Sequence, residues 1–498
     1  MTYDLRLFTM TKTFNWQQVI RILGVLLMTE ALFMAIAAIV AYIYGGDDFT
    51  AIVESAILTI GAGLGGVLLG GSNTKHIGTR EGYLVVGLVW IVFSLFGMLP
   101  FRLSHYIPSI TDAFFETMSG FTTTGATILT DIEALPHGLL FWRSMLQWLG
   151  GMGIVVLSLA ILPMFGAGMQ LFAAEVPGIT YDKLQPKITD TARRLWELYA
   201  LLTIICAVLL YFGGMNVFDA VCHSLTTLAS GGYSTKNASI AHWSSPAIPY
   251  IIIFFMIIAG TNFSLLYGAM IRRQWKRLLQ DEEFKTYIYS ILGVSFIIAI
   301  GLICTRTFDG FQSIEKAFRD ALFQIVTTMT TTGFSTSDYM SWHPILWLIM
   351  LLVIPMGATA GSTSGGIKII RLHIVAKNIF YEFKRVMHPK AIRPIRVNHR
   401  IVSENTLSNT YVFISIFVII TIVSTIVMMI CGLSPSEAFG CSLTSISNVG
   451  PGIGAQGPSG TFAMLPDFAK WYLSFLMLIG RLELFTILIL FLPSFWKK

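Results

Sequence analysis

Uncharged stretches long enough to cross a lipid bilayer recur along the whole of this chain, and they constrain its fold more than any other feature. About 20 consecutive apolar residues suffice for one helical crossing. Charged residues make up only 12% of the chain, whereas a soluble domain carries about 25%. The candidate spans are 22–44, 51–70, 82–101, 142–168, 195–214, 247–271, 287–304, 344–357, 409–431 and 471–495. The sequence therefore predicts an all-α polytopic membrane protein.

Lysine and arginine are distributed unevenly among the segments that connect these spans. If the N-terminus is cytoplasmic, 25 of the 33 Lys and Arg residues fall in inner connections and seven fall in outer ones. Cytoplasmic loops of membrane proteins carry such an excess. We therefore expect both termini in the cytoplasm. The net charge of +6 indicates this orientation and contact with anionic lipid rather than a nucleic-acid partner.

Four segments of the chain share one pattern, in which an acidic residue and Ala open an apolar, Ser/Thr-rich run that ends in Gly. The acidic residues are Asp112, Asp219, Asp320 and Glu437, and the Gly follows 13 residues later in every case. Each segment lies between two apolar spans, so each unit is predicted to be helix, half-helix, polar turn and helix. The two spans before residue 75 lack the pattern and predict an additional N-terminal helix pair.

The physical chemistry of this repeat favours a cation. An acidic side chain at a helix N-terminus caps free N–H groups and suits the positive end of the dipole. Four half-helices whose negative ends point inward favour a cation at the centre. Gly and Thr then permit an extended backbone whose carbonyls replace the hydration shell of an ion. Small residues also occur at ordinary helix contacts, but four copies at identical spacing favour a pore.

The four units, with Thr-Thr-Thr-Gly in the first and third, resemble the Trk/Ktr/HKT superfamily of potassium transporters. The additional helix pair is similar to the bacterial TrkH branch. The resemblance implies four pseudo-symmetric helix–pore-helix–filter–helix repeats around one pore, in a homodimer of the bacterial inner membrane. It also implies potassium as the transported ion and a cytosolic, TrkA-type nucleotide-binding regulatory subunit. The units are then 1–75 for the helix pair, and 76–180, 181–280, 281–400 and 401–498 for the repeats.

By position, the resemblance implies a selectivity filter made of three consecutive backbone carbonyls in each repeat. These residues are Thr123, Thr124, Gly125, Ser230, Gly231, Gly232, Thr331, Thr332, Gly333, Asn448, Val449 and Gly450. In plant relatives, Ser in place of the first filter Gly is associated with sodium transport. All four positions are Gly here, which favours potassium. Transport of sodium or another monovalent cation by the same fold is the alternative.

A Gly-, Ser- and Thr-rich stretch interrupts the second long helix of the third repeat. It contains Gly357, Gly361, Ser362, Thr363, Ser364, Gly365 and Gly366. The glycines recur every four residues, which is also the pattern of closely packed membrane helices. The Ser and Thr content and the adjacent glycines disfavour a continuous helix. The resemblance implies that this stretch is a loop that gates the pore below the filter.

Arg481 and Asn262 are two polar candidates inside predicted spans. A charged residue at the middle of a membrane helix costs at least about 2.5 kcal/mol, so Arg481 is a functional candidate. Glu483 is only two residues away and lies on a different helix face, which makes it a poor partner. The resemblance implies that Arg481 faces the cavity below the filter. Asn262 either lines the same cavity or forms an interhelical hydrogen bond.

Other classes of function receive little support from the residues. A membrane-embedded enzyme needs a cluster of nucleophile, base or metal ligands, but the nine His and five Cys are scattered along the chain. No organic cofactor is predicted. The segment 366–400, with nine Lys and Arg, is either a connector touching anionic lipid or a docking site for the regulatory subunit. The sequence does not distinguish channel-like conduction of the ion from symport with protons or sodium.

Overall fold

A computed structural model describes residues 14–71, 78–151, 153, 188–305, 311–388 and 394–496. Over these residues the chain consists of helices and one antiparallel hairpin, formed by β1 (Arg396–Val397) and β2 (Arg400–Ile401). Six helices are long and apolar enough to cross a membrane, or eight if each of two bent pairs counts as one span. The predicted all-α polytopic fold is therefore confirmed.

The helices follow the predicted order of a helix pair and four repeats. The pair and the first repeat contain α1 (Trp16–Tyr44), α2 (Phe49–Leu69), α3 (Thr79–Gly97), α4 (Leu99–Leu103), α5 (Ile110–Phe121) and α6 (His137–Gly151). The second repeat contains α7 (Ile188–Phe212), α8 (Val217–Leu228), α9 (Ala247–Ala259), α10 (Phe263–Met270) and α11 (Trp275–Gln280). The third contains α12 (Glu282–Cys304), α13 (Phe311–Met329), α14 (Pro344–Val353) and α15 (Ile369–Met387). The fourth contains α16 (Glu404–Ile430), α17 (Pro435–Ser447), α18 (Asp467–Arg481), α19 (Phe485–Leu488) and α20 (Pro493–Trp496).

The N-terminal pair packs through glycines that bring two backbones together. A Cβ atom added to Gly24 of α1 would lie 2.6 Å from the carbonyl oxygen of Gly63 in α2. A Cβ added to Gly63 would lie 2.8 Å from the carbonyl oxygen of Gly24. Small residues permit such close approach between membrane helices, where association depends on van der Waals packing.

Three of the four half-helices begin with a polar cap, but the cap is not the predicted acidic residue. The side chains of Ser109, Asn216 and Ser434 accept hydrogen bonds from backbone N–H groups three residues later, at 3.3, 2.7 and 3.4 Å. Those N–H groups belong to the acidic residues, which occupy the third helical position. The predicted capping by the acidic side chain is wrong for Asp112 and Asp219, whereas Glu437 does cap, since its carboxylate accepts from the Ser434 N–H at 3.3 Å. All three acidic side chains lie near the positive end of a helix dipole.

The third half-helix differs, and the prediction that Asp320 begins it is wrong. Asp320 is the tenth residue of α13, which already begins at Phe311. An ion pair one turn apart, between Arg319 and Glu315 at 3.1 Å, supports the additional turns. Asp320 instead accepts a hydrogen bond from the Thr336 hydroxyl at 3.0 Å, which ties α13 to the chain that leaves the following loop.

The second long helix breaks in the second, third and fourth repeats. The predicted spans 247–271 and 471–495 are not continuous, because their two halves meet at 107° and 112°. Within 344–357, only Pro344–Val353 is helical. Asn262 starts a new helix by accepting hydrogen bonds from two following N–H groups, and Glu483 and Leu484 have left-handed φ angles of 52° and 58°. The predicted span 142–168 continues beyond α6 into residues outside the described ranges.

Replacing Gly63 by Val should destabilise the N-terminal pair by about 1–3 kcal/mol, because a side chain cannot fit against α1 without moving a backbone. Gly61→Val is the matched control, since a Cβ at Gly61 of the same helix meets no atom within 4 Å. Thermal unfolding in detergent measures both variants. Equal losses of stability would contradict the close packing at Gly63.

Candidate filter, loop and cavity

Four loops, one after each half-helix, share an unusual backbone conformation. Their first residues have left-handed φ angles of 53°, 55°, 54° and 55°, and the glycines two positions later have φ angles of 82°, 77°, 86° and 90°. The first residues are Thr123, Ser230, Thr331 and Asn448. Positive φ is uncommon outside glycine, so four occurrences at equivalent positions indicate one repeated structure.

The hydrogen bonds that end the half-helices repeat in the same way. In each loop, the residue before the glycine donates its N–H to a carbonyl five positions back in the half-helix. The four N–O distances are 2.9 Å from Thr124 to Ser119, 2.9 Å from Gly231 to Thr226, 2.8 Å from Thr332 to Thr327 and 3.1 Å from Val449 to Thr444. The four loops are therefore built alike although their side chains differ.

The four loops form a closed ring. Each loop glycine lies against a carbonyl oxygen of the next loop, so that an added Cβ would approach that oxygen far too closely. The distances from the added Cβ to the carbonyl oxygen are 2.3 Å for Gly125 and Gly231, 2.0 Å for Gly232 and Thr332, 2.2 Å for Gly333 and Val449, and 2.7 Å for Gly450 and Thr124. The contacts run from repeat one to four and back to one, so the loops surround a single axis.

The structure thus brings the twelve predicted filter residues together. The ring carbonyls belong to the residues before each glycine, Thr124, Gly231, Thr332 and Val449. The half-helices end immediately before the loops, so their negative dipole ends lie next to the ring. This arrangement of carbonyl oxygens and helix ends can stabilise a cation.

The predicted interruption of the third repeat is present. The chain is non-helical between α14 and α15, which rules out the continuous-helix interpretation of Gly357, Gly361 and Gly365. The two ends of this segment are held together by backbone hydrogen bonds of 2.8 Å, from Gly357 N to Ile367 O and from Ile367 N to Pro355 O. We call residues 354–368 the intramembrane loop.

The intramembrane loop lies directly against the ring. The N–H of Gly365 donates to the Thr331 hydroxyl at 2.7 Å, and the hydroxyls of Thr363 and Ser230 are 2.8 Å apart. A Cβ at Gly365 would lie 2.5 Å from the carbonyl oxygen of Ser447, at the end of α17. The loop therefore contacts the second, third and fourth repeats at their filter ends.

Broken helices anchor the other side of the loop. Thr359 donates its N–H and its hydroxyl to the Gly260 carbonyl, at 3.1 and 3.0 Å. The Asn262 side chain donates to the Ala360 carbonyl at 2.7 Å while capping α10. Glu283, which the sequence analysis missed, accepts from the Ala360 N–H at 2.6 Å.

Arg481 connects three parts of the structure. Its Nη2 donates to the carbonyls of Gly150 and Gly151 in α6, at 2.6 and 3.0 Å. Its Nη1 donates to the Thr363 carbonyl at 2.7 Å and to the Thr123 hydroxyl at 3.1 Å. Backbone carbonyl oxygens carry partial negative charge and accept hydrogen bonds from a guanidinium. Glu483 pairs with Arg371 of α15.

A buried ion pair behind the ring was not predicted. Arg143 of α6 donates to Glu116 of α5 at 2.6 Å, and both side chains are almost fully buried. The guanidinium also donates to the Ser234 carbonyl at 2.9 Å and covers the Tyr233 ring at 3.6 Å from its centre. The signal in the sequence is two opposite charges in neighbouring apolar segments.

Comparison with known proteins agrees with this architecture. Residues 50–498 match the family model for TrkH, described as a cation transport protein. The chain belongs to the TrkH family. It is 40% identical over 493 residues to the Trk system potassium uptake protein TrkH of Escherichia coli K12, covering 97% of this chain and 100% of that protein. It is 38% identical to the TrkH protein of Halomonas elongata, covering 97% of this chain and 99% of that protein.

A solved structure extends the similarity to three dimensions. The crystal structure of the potassium transporter TrkH from Vibrio parahaemolyticus matches with a TM-score of 0.87 and 34% identity, covering 97% of this chain and 99% of that one. This TrkH-family chain is therefore a multi-pass membrane transport protein, and the enzyme alternative is not supported.

Replacing Gly125 by Ser should reduce discrimination between rubidium and sodium. The new side chain would meet the Gly231 carbonyl at a φ of 82°, which favours glycine, and the ring would have to distort. Rubidium and sodium uptake into liposomes measures the effect. Gly268→Ser is the control, because an added Cβ there has its nearest neighbour at 3.7 Å. Unchanged discrimination at Gly125, Gly232, Gly333 and Gly450 alike would contradict a role of this ring in selectivity.

Proposed function

We propose that this chain takes up potassium through the ring of four loops. The closed set of contacts between each loop glycine and the next loop's carbonyl is the observation that carries the proposal. A ring of backbone carbonyls can replace the hydration shell of a permeating cation. The relatives from Escherichia coli and Halomonas elongata are named potassium uptake proteins, which supports potassium as the ion.

The filter consists of the carbonyls of Thr123–Gly125, Ser230–Gly232, Thr331–Gly333 and Asn448–Gly450. Two kinds of charge favour a cation there, the carbonyl dipoles of the loops and the negative ends of the half-helices. Glycine at all four final positions supports potassium over sodium, because each loop can keep the carbonyl-inward backbone without steric strain. No chemical step is required, since the protein supplies only ligands and a path.

The intramembrane loop gates this path below the ring. Its hydrogen bonds to Thr331 and Ser230 hold it against two filter loops, so a hydrated cation leaving the filter meets the loop. Non-helical backbone at membrane depth is tolerated where it lines a cavity. The loop contains no charged residue between Gly357 and Gly366. Its contacts with the ends of α9 and α10 are hydrogen bonds, which can break and form again with other partners.

Arg481 is an electrostatic barrier below the filter. A unit positive charge about 4 Å from a monovalent cation costs about 4 kcal/mol at an effective dielectric of about 20. A guanidinium cannot lose its proton to escape this repulsion. Because Arg481 also binds the loop carbonyl of Thr363, displacement of the loop and of the barrier would occur together.

The chain works in the bacterial inner membrane, with both termini in the cytoplasm, as a homodimer with a TrkA-type nucleotide-binding regulatory subunit. The excess of Lys and Arg in the inner connections supports this orientation. The relatives are named as parts of a Trk system, and this name supports the presence of additional protein subunits. The basic segment around α15 and the β1–β2 hairpin is a suitable docking surface for such a subunit.

Ion flux into liposomes containing only the purified protein tests the proposed function. A gradient of potassium should drive uptake of rubidium, and a sodium gradient of equal size should drive much less sodium. Rubidium uptake under imposed pH and sodium gradients then distinguishes conduction, which does not depend on those gradients, from symport, which does. Preferential uptake of sodium would favour the alternative of a sodium transporter with the same fold.

Deleting residues 361–364 should raise flux in the absence of any regulatory subunit, because the deletion removes the contacts of Gly361 and Thr363 with the second repeat. Thr363→Val should give a smaller rise, since it removes only the hydroxyl. Thr410→Val is the matched control, because the hydroxyl of Thr410 bonds within its own helix at 2.8 Å. Wild-type flux from a folded deletion variant would mean that the loop only packs.

Arg481→Gln should raise flux and weaken dependence on the regulatory subunit, because it removes the charge and loosens the loop. Rubidium flux with and without the subunit is the measurement, after thermal unfolding in detergent has shown that the variant folds. Arg319→Gln, which alters an ion pair on α13, controls for loss of an arginine elsewhere. Lower flux from folded Arg481→Gln would show that the residue holds the path open.

A further inference from the structure

The side chain of Gln147 reaches from α6 of the first repeat into the filter loop of the second. Its Nε2 donates to the carbonyl oxygen of Gly231 at 2.6 Å. Its Oε1 accepts from the N–H of Tyr233 at 3.0 Å. The side chain is fully buried. One amide thus holds the backbone on both sides of Gly232.

This contact explains a difference between the loops. Gly231 stands where the other loops have Thr124, Thr332 and Val449. A Cβ at Gly231 would lie 2.3 Å from Cδ of Gln147, so the amide occupies the space of the missing side chain.

In the first and third loops, a hydroxyl of the same repeat supports the residue before the glycine. The hydroxyls of Thr124 and Thr332 lie 2.8 Å from those of Thr122 and Thr330, at the ends of their own half-helices. Gly231 has no side chain to make such a bond, and Gln147 of the first repeat supports the backbone of the second loop.

The contact also makes one ring carbonyl unlike the others. Within the ranges that the structure describes, Gln147 is the donor to the Gly231 oxygen, and the oxygens of Thr124, Thr332 and Val449 accept no hydrogen bond from the protein. A carbonyl oxygen has two lone pairs, and Gln147 occupies one of them at Gly231. The field that this ring exerts on a cation is therefore weaker on the side of the second repeat.

We propose that Gln147 is a selectivity-determining positioning residue of the filter. It fixes the Gly231 carbonyl next to Gly125 of the first loop and lowers the field strength of the ring, and a fixed ring of weaker field favours potassium over the more strongly hydrated sodium ion. The inference rests on the proposed function, in which the ring binds potassium. It adds a residue outside the four loops, on a helix with no filter backbone of its own.

Replacement of Gln147 by Leu tests this inference, with Gln147→Met as an unbranched second variant. The ratio of rubidium to sodium uptake into liposomes should fall by roughly three- to tenfold, as expected for loss of one buried hydrogen bond, while rubidium flux persists. Gln324→Leu is the matched control. Gln324 is a buried glutamine of α13 that donates to the Ser337 carbonyl at 2.8 Å, which is not one of the ring carbonyls.

An unchanged ratio in a folded Gln147 variant would overturn the inference. So would an equal fall in Gln324→Leu, because general packing behind the loops would then explain both results. Thermal unfolding in detergent shows which variants fold. A wild-type protein that does not prefer rubidium to sodium would instead contradict the proposed function.

A paired substitution keeps the inference testable if the single variants do not fold. Gly231→Thr alone should be poorly tolerated, because its Cβ meets Gln147. Combined with Gln147→Ala, the new threonine can occupy the vacated space, as in the first and third loops. A reduced rubidium-to-sodium ratio in the folded double variant would support the amide donor as the determinant, and a wild-type ratio would overturn it.

Discussion

Backbone N–H and C=O groups at membrane depth must find partners inside the protein, and this constraint governs the middle of the molecule. Hydrocarbon offers no hydrogen bonds, so irregular backbone persists only where the protein supplies them or where it lines a water-filled cavity. The filter loops, the broken helices and the intramembrane loop satisfy one another. The carbonyls of Gly150 and Gly151 accept from Arg481. The carbonyls of Ala259 and Gly260, at the end of α9, accept from the hydroxyls of Thr363 and Thr359.

Because these groups are shared, the filter and the loop below it form one connected network. Each left-handed residue of the ring directs its side chain to a partner outside its own loop. Thr123 meets Arg481, Ser230 meets Thr363, and Thr331 meets the Gly365 N–H. The Asn448 side chain donates to the Thr124 hydroxyl and to the Met477 carbonyl, both at 2.9 Å. A movement of the loop therefore requires new partners for the lower side of the ring.

The backbone of the ring is nearly fourfold, whereas its surroundings are not. A single polypeptide can place a different side chain at each equivalent position, which a homotetramer cannot do. The intramembrane loop touches the second, third and fourth repeats, and Arg481 reaches the first. Gln147 supports the second loop alone. One loop and one arginine therefore lie against a ring that four similar backbones form.

The sequence by itself determined the membrane spans, the additional helix pair and the four loops, because hydropathy, helix ends and the 13-residue spacing are local properties. The roles of Arg481 and the intramembrane loop came from a family resemblance. Only the tertiary structure decided that Asp320 lies inside a helix, that two spans bend by 107° and 112°, and that Gln147 binds Gly231. Gln147 and Gly231 are 84 positions apart, and Glu283 and Ala360 are 77 apart. No local pattern encodes such pairs, since the packing of segments far apart in the chain selects them.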